Sequence, residues 1–240
     1  MPDAPDSFRY SHITTLTPSQ DINELAAKLG SPSTMFREGQ VIYENGFDKG
    51  LSGLTLQYSP AANIPYVSNN DYTMYSASIE MPNTEFDTGE CQISKKLPIF
   101  DTRYYYFSTL FTPSTYNLTG IALYLYEDGI VYYARIKFDI TNSKIYLYNS
   151  DADDIEIPNV NMSFFTSAGV IRVSLKIDVL NAEYTALIIG NTEYDLTAYP
   201  MKTNTTVVKD NLLWQMWVEK NKSTSDALLY VHSIVVACSD

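Results

Sequence analysis

Three carboxylates, Glu85, Asp87 and Glu90, stand in one short run, Glu85-Phe86-Asp87-Thr88-Gly89-Glu90. On a strand that aims them into a cleft, such acids have the chemistry for glycoside hydrolysis. Two would flank the scissile bond as nucleophile and acid/base, with the Asp between them. Here Pro82, Asn83 and Thr84 precede the run and Gly89 interrupts it, which reads as a loop. Acids fill 28 of 240 positions, so a chance match is easily found. The expectation is a protein that is not an enzyme, with Glu85, Asp87 and Glu90 as the residues a glycosidase would have to use.

Other chemistry is sparse. Asp151, Asp153, Asp154 and Glu156 form an acidic cluster without the glycine and distal glutamate of a Ca²⁺ loop, and read as a solvated turn. His12 and His232, the two histidines, have no metal-ligand spacing. Cys91 and Cys238 can pair if the fold joins them, but two cysteines make no disulfide scaffold. Nucleophile-elbow, phosphate-loop and dinucleotide motifs are missing, and no cofactor is expected. A binding surface is better signalled. In Leu212–Glu219 strict alternation turns Trp214 inward and Trp217 outward, beside Gln215 and Glu219. Tyr133, Arg135, Lys137, Arg172 and Lys176 also fall on outward positions. If their strands adjoin, they form an aromatic and basic patch suited to sugar rings or to a protein interface. A loop or helix lying over Trp217 is the alternative.

These residues need elements to hold them. Residues 1–16 read as an irregular arm. Thr17 then caps a helix, Pro18 suits its first position and Gln20 closes a capping box. Ile22, Leu25, Ala26 and Leu29 form one apolar stripe before Gly30 and Pro32 end the helix. So short a helix must dock, on its own sandwich or on a neighbouring subunit. From Val41 onward the hydrophobic period is two. Strands are expected at Leu54–Tyr58, Thr73–Glu80, Tyr104–Phe111, Gly120–Tyr126, Ile130–Ile140 and Lys144–Tyr148. Further ones are expected at Val170–Val179, Tyr184–Ile189, Leu212–Glu219 and Leu228–Val236. Many strands with short turns predict an all-β, two-sheet antiparallel jelly-roll sandwich with one short N-terminal amphipathic helix. The arm and helix span 1–38 and the sandwich 39–240.

Phe47-Asp48-Lys49-Gly50-Leu51-Ser52-Gly53-Leu54 resembles the turn after the first strand of concanavalin A-like, laminin-G-like jelly rolls. Tyr132–Phe138, Tyr194-Asp195-Leu196 and Leu229–Val236 are similar to segments of a sandwich family of bacterial and phage-like proteins. The carboxylate run has the spacing used by jelly-roll β-glucanases. The resemblance implies the fold over about residues 40–237 and leaves the function open. It also implies a structural Ca²⁺ held by acids of the first and last strands. Glu44 and Asp48 are the candidates left here, because His232 and Ser233 stand where related chains carry acids.

Composition sets the remaining bounds. A net charge of −12 disfavours nucleic acid. Charged residues make up 18% of the chain, below the roughly 25% of typical soluble domains, and 20 tyrosines outnumber two tryptophans. Tyrosine suits strands and half-wet interfaces. Met1–Tyr10 has no apolar core and does not read as a signal peptide. No apolar run approaches ~18 residues, so no membrane insertion is expected. The expected protein is soluble, and virion- or particle-associated if viral. It is a structural or adhesive module that binds neighbouring subunits or cell-surface ligands, with a glycan-binding lectin-like domain as the alternative.

Overall fold

The computed structural model describes residues 40–47, 50–58, 65–68, 76–81, 88–113, 118–150, 154–162, 170–221 and 227–239. Within them the chain forms β1 (Gln40–Asn45), β2 (Thr55–Tyr58), β3 (Tyr66–Ser68), β4 (Ser76–Met81), β5 (Thr88–Leu97), β6 (Tyr104–Pro113), β7 (Leu118–Glu127) and β8 (Ile130–Asp139). Then follow β9 (Lys144–Tyr148), β10 (Asp154–Glu156), β11 (Ile171–Asp178), β12 (Glu183–Ile189), β13 (Thr192–Asp195), β14 (Lys202–Thr205), β15 (Asn211–Asn221) and β16 (Ala227–Ser239). All pairs are antiparallel. Sheet A runs β13-β12-β11-β6-β16-β4-β3, with β1 also on β16. Sheet B runs β10-β9-β8-β7-β15-β5-β2, with β14 also on β8. This is the expected two-sheet jelly-roll sandwich. The expected helix stripe of Ile22, Leu25, Ala26 and Leu29 lies outside the described residues. Among the described residues no helix is long and apolar enough to cross a membrane.

The period of two explains the core. Phe107 and Phe111 of β6, Val173 and Leu175 of β11, and Ile234 and Val236 of β16 point inward from sheet A. Ile121 and Leu123, Ile136 and Phe138, and Trp214 and Met216 answer them from sheet B. The turn after β1 matches its resemblance. Gly50 and Gly53 take left-handed φ of 77° and 75°, and Phe47 is buried in the core. Cys91 and Cys238 face inward from opposite sheets and form no disulfide with each other.

Two expectations about strands are corrected. The segment around Glu90 is not all loop, because Thr88 to Leu97 is a full strand between β15 and β2. The acidic cluster is not only a turn either. Asp154–Glu156 pairs with β9, and its acids face Lys137 and Lys144 at 2.6 Å each. Strands β13 and β14 are further elements that the sequence does not mark out. Short polar edge strands lack the apolar alternation on which sequence reading depends.

Two hairpins, β8–β9 and β11–β12, use one device. Asp139 and Asp178 each accept from the backbone N–H and side-chain amide of the Asn three residues on, Asn142 and Asn181. Ser143 and Ala182 then take left-handed φ of 54° and 53°. Asp178 also receives Arg103 Nε at 2.9 Å and Nη2 at 2.6 Å. Burial opposes its ionisation, but the Arg103 and Asn181 hydrogen bonds outweigh this and hold its carboxyl below the ordinary 3.8. A depressed pKa contributes stability that is complete above the unfolded value and lost as pH falls through the folded one. Asp178→Asn should therefore lower stability at neutral pH by about 1.5–3 kcal/mol. The gap to wild type should shrink below about pH 4 in pH-dependent urea denaturation.

One side chain links the sheets. On one flank of β8, β14 pairs with residues 130–133 and β9 with residues 136–139, which leaves a break between the two partners. Tyr184 of β12 reaches this break across the core and is fully buried. Its hydroxyl accepts from Arg135 N–H (3.0 Å) and donates to Tyr148 O (2.8 Å), with the carbonyls of Tyr133 and Arg135 each at 3.2 Å. Burial raises the phenol pKa far above its ordinary value, so it stays a neutral donor. Tyr184→Phe leaves these buried backbone groups without their partner and should cost about 1–3 kcal/mol, read by chemical denaturation.

Candidate functional site

The outer face of sheet B carries most of the residues expected to form a surface, and register places them in rows. Trp217 lies beside Gly120, and Gly120 beside Lys137. In the next row Gln215 lies beside Ala122 and Ala122 beside Arg135. In the third, Tyr124 lies beside Tyr133 and Tyr133 beside Lys202. Tyr148 of β9 completes the aromatic group. Tyr124 and Tyr133 meet edge-on at 5.5 Å between centroids, and Tyr133 and Tyr148 at 6.0 Å. All three are half-buried. Beyond β15 the face continues as Gln92 and Ser94, then Gln57 and Thr55. The Gln92 amide donates to Gln57, and its own Oε1 has no hydrogen-bond partner among the described residues.

Trp217 requires a correction. It does point outward, yet it is only 3% exposed and is no free platform. The cause is Gly120 directly opposite: with no side chain there, the indole lies down on the backbone, and a Cβ on Gly120 would sit 2.0 Å from the ring. Arg135 closes the other side, 4.8 Å above the indole, and Trp217 Nε1 donates to Glu219 at 2.9 Å. A glycine within a strand pattern marks such a close approach and was the available sequence signal. Gly120→Ala should displace the ring and cost about 1–3 kcal/mol by overpacking. Fluorescence should then shift to the red, since Trp214 remains fully buried in the core.

The basic patch is corrected too. Arg135 and Lys137 share this face with Tyr133, but Arg172 and Lys176 stand on β11 in the other sheet. The two groups form no common surface. Those on sheet B are already engaged: Lys137 meets Asp154, and Arg135 lies 3.7 Å from Glu219 and over both Trp217 and Tyr148. Lys202 sits 5.5 Å above the Tyr148 ring.

The acids of the catalytic alternative are not assembled by what is described. Glu85 and Asp87 lie outside the described residues, and Glu90 occupies a β5 position opposite Glu219. For calcium, Glu44 lies on β1 opposite Val235, and Asp48 lies outside the described residues. His232 sits at a β16 bulge with Nε2 2.8 Å from Thr112 Oγ1. Among the described residues no group of three or more histidines, cysteines or carboxylates is placed to hold a metal ion.

No family model matches the chain, and no curated protein matches its sequence. Solved structures do resemble it. One is the CBM2 module of Lactobacillus casei BL23 phage J-1 evolved Dit, at 12% identity and TM-score 0.50, over 85% of this chain and 98% of that one. Another is the lectin from Bauhinia forficata in complex with GalNAc, at 10% identity and TM-score 0.51, over 84% and 99%. At such identities the likeness concerns the fold, which is that of lectin-like jelly-roll sandwiches.

Proposed function

We propose that this chain is a non-catalytic adhesive module that binds glycan on the outer face of sheet B. The observation that carries the reading is the Tyr124–Tyr133–Tyr148 group, standing half-buried beside a strip of small residues and carboxamides. Pyranose rings present apolar C–H faces that rest on aromatic rings, and hydroxyls that need amide and guanidinium partners. Ala122 and Gly120 keep the centre of the sheet low, while Gln215, Gln92 and Ser94 supply polar groups to one side. Trp217 serves as a wall under Arg135, and stacking falls to the tyrosines. The same fold carries a GalNAc-bound lectin and a module of a phage Dit, which supports ligand binding at a particle surface as the setting.

The test is a glycan array followed by titration of the best ligand. Tyr133→Ala and Tyr148→Ala should each weaken binding by about tenfold, equivalent to 1.4 kcal/mol. Circular dichroism should report an unchanged β-fold in both. Wild-type protein that binds no glycan, or variants that bind as well as wild type, would defeat the reading. A bound oligosaccharide that gains reducing ends over time would instead revive hydrolysis by Glu85, Asp87 and Glu90.

A further inference from the structure

The outer face of sheet A is apolar where an outer face should be wet. Tyr106, Val235 and Ala237 form a second cluster there, apart from the core, at 7%, 1% and 0% exposure, with Val41 and Tyr104 packed at its margin. Register puts Tyr106 beside Ala237, Ser108 beside Val235, and Ser174 beside Ser108. The two serines are buried and satisfy each other, Ser174 Oγ donating to Ser108 Oγ at 2.8 Å. Hydroxyls that pair within the sheet ask nothing of water, so the surface is prepared for dry contact. Every described strand belongs to sheet A or sheet B, so none is left to lie over this face.

The sequence holds a segment with the opposite need. Residues 17–29, read as a helix, offer the stripe Ile22, Leu25, Ala26 and Leu29 and are too short to be helical unaided. Chain connectivity brings the two together. Gln40 pairs with Cys238 and Val41 with Ala237, so the chain enters β1 at the edge of the apolar cluster. The residues between Leu29 and Gln40 can span about 33 Å, and a helix over 17–29 would be about 20 Å long and cover about two strands. Lys176, over the Tyr104 and Tyr106 rings at 4.6 and 5.0 Å, provides a cation for Asp21 or Glu24 of the segment.

We infer that segment 17–29 of the same chain docks on the outer face of sheet A, with its apolar stripe over Val235, Ala237 and Tyr106. The sandwich then has three layers, and the segment is part of the folded unit rather than an arm offered to a neighbouring subunit.

Disulfide trapping in the full-length chain tests this. Leu25→Cys combined with Val235→Cys should oxidise within one chain. The product is a monomer by light scattering, in which mass spectrometry finds the two peptides joined. A link between two chains would overturn the inference in favour of a second copy as the occupant, and no link in folded protein would overturn docking altogether. Leu25→Asp gives a readout without engineered cysteines: binding of a hydrophobic dye should rise several-fold and the melting temperature should fall. No change in either would also overturn it. Glycan binding through Tyr133 is separate from these readouts, so failure here is distinguishable from failure of the proposed function.

Discussion

The break on the flank of β8 is the constraint around which this sandwich is organised. A strand flanked by two different partners must leave peptide groups unpaired where one partner gives way to the other. In a dry core each such group costs on the order of 1–3 kcal/mol. Here a single phenol from the opposite sheet accepts from the Arg135 N–H and donates to the Tyr148 carbonyl, with the carbonyls of Tyr133 and Arg135 within 3.2 Å of the same hydroxyl. The three residues whose backbone it holds are those whose side chains build the outer face. Tyr184 thus fixes from within the spacing of rings that stand outside, and couples sheet A to the candidate ligand surface of sheet B.

The two outer faces solve the problem of an exposed sheet differently. On sheet B, rings and long side chains fold over one another, with Trp217 on Gly120, Arg135 on Trp217 and Tyr133 between two other tyrosines. The polar ends of these side chains are engaged within the face, Trp217 Nε1 with Glu219 and Arg135 beside the same carboxylate. On sheet A, serine, alanine and valine leave a smooth dry surface with paired hydroxyls. Burial of apolar area by a third layer is the physical remedy there.

Most of the fold was legible because burial on one face imposes a period of two. Lys144–Tyr148 is found with its expected bounds, and Ile130–Asp139 with one residue fewer. Strand β5 was hidden by Gly89 and by Lys95, a lysine on an inward position that is satisfied by the Gly53 carbonyl and the Tyr43 ring. Strands β10 and β14 are short edges of mainly polar residues, for which alternation carries little signal. Alternation gave the direction of Trp217 correctly and its exposure wrongly. Exposure is set by the residue on the adjacent strand, and the Trp217–Gly120 pairing joins positions almost a hundred residues apart. The same limit hid Tyr184, whose partners exist only once β8, β9 and β12 are in register.

Charge favours one class of ligand over others. The chain carries −12, so its field repels anions at long range. The cations of the sheet B face do not reverse this locally. Lys137 and Lys144 are matched by Asp154 and Glu156, Arg135 faces Glu219, and Lys202 lies on a tyrosine ring. An anionic ligand would have to displace these partners. A cationic ligand would find the acids already neutralised. What remains beside these pairs is surface of the Tyr124 and Tyr133 rings together with Gln215 and the Gln92 Oε1. Those groups favour a neutral, hydroxyl-rich ligand with apolar faces, so the electrostatics and the tyrosine geometry support the same reading.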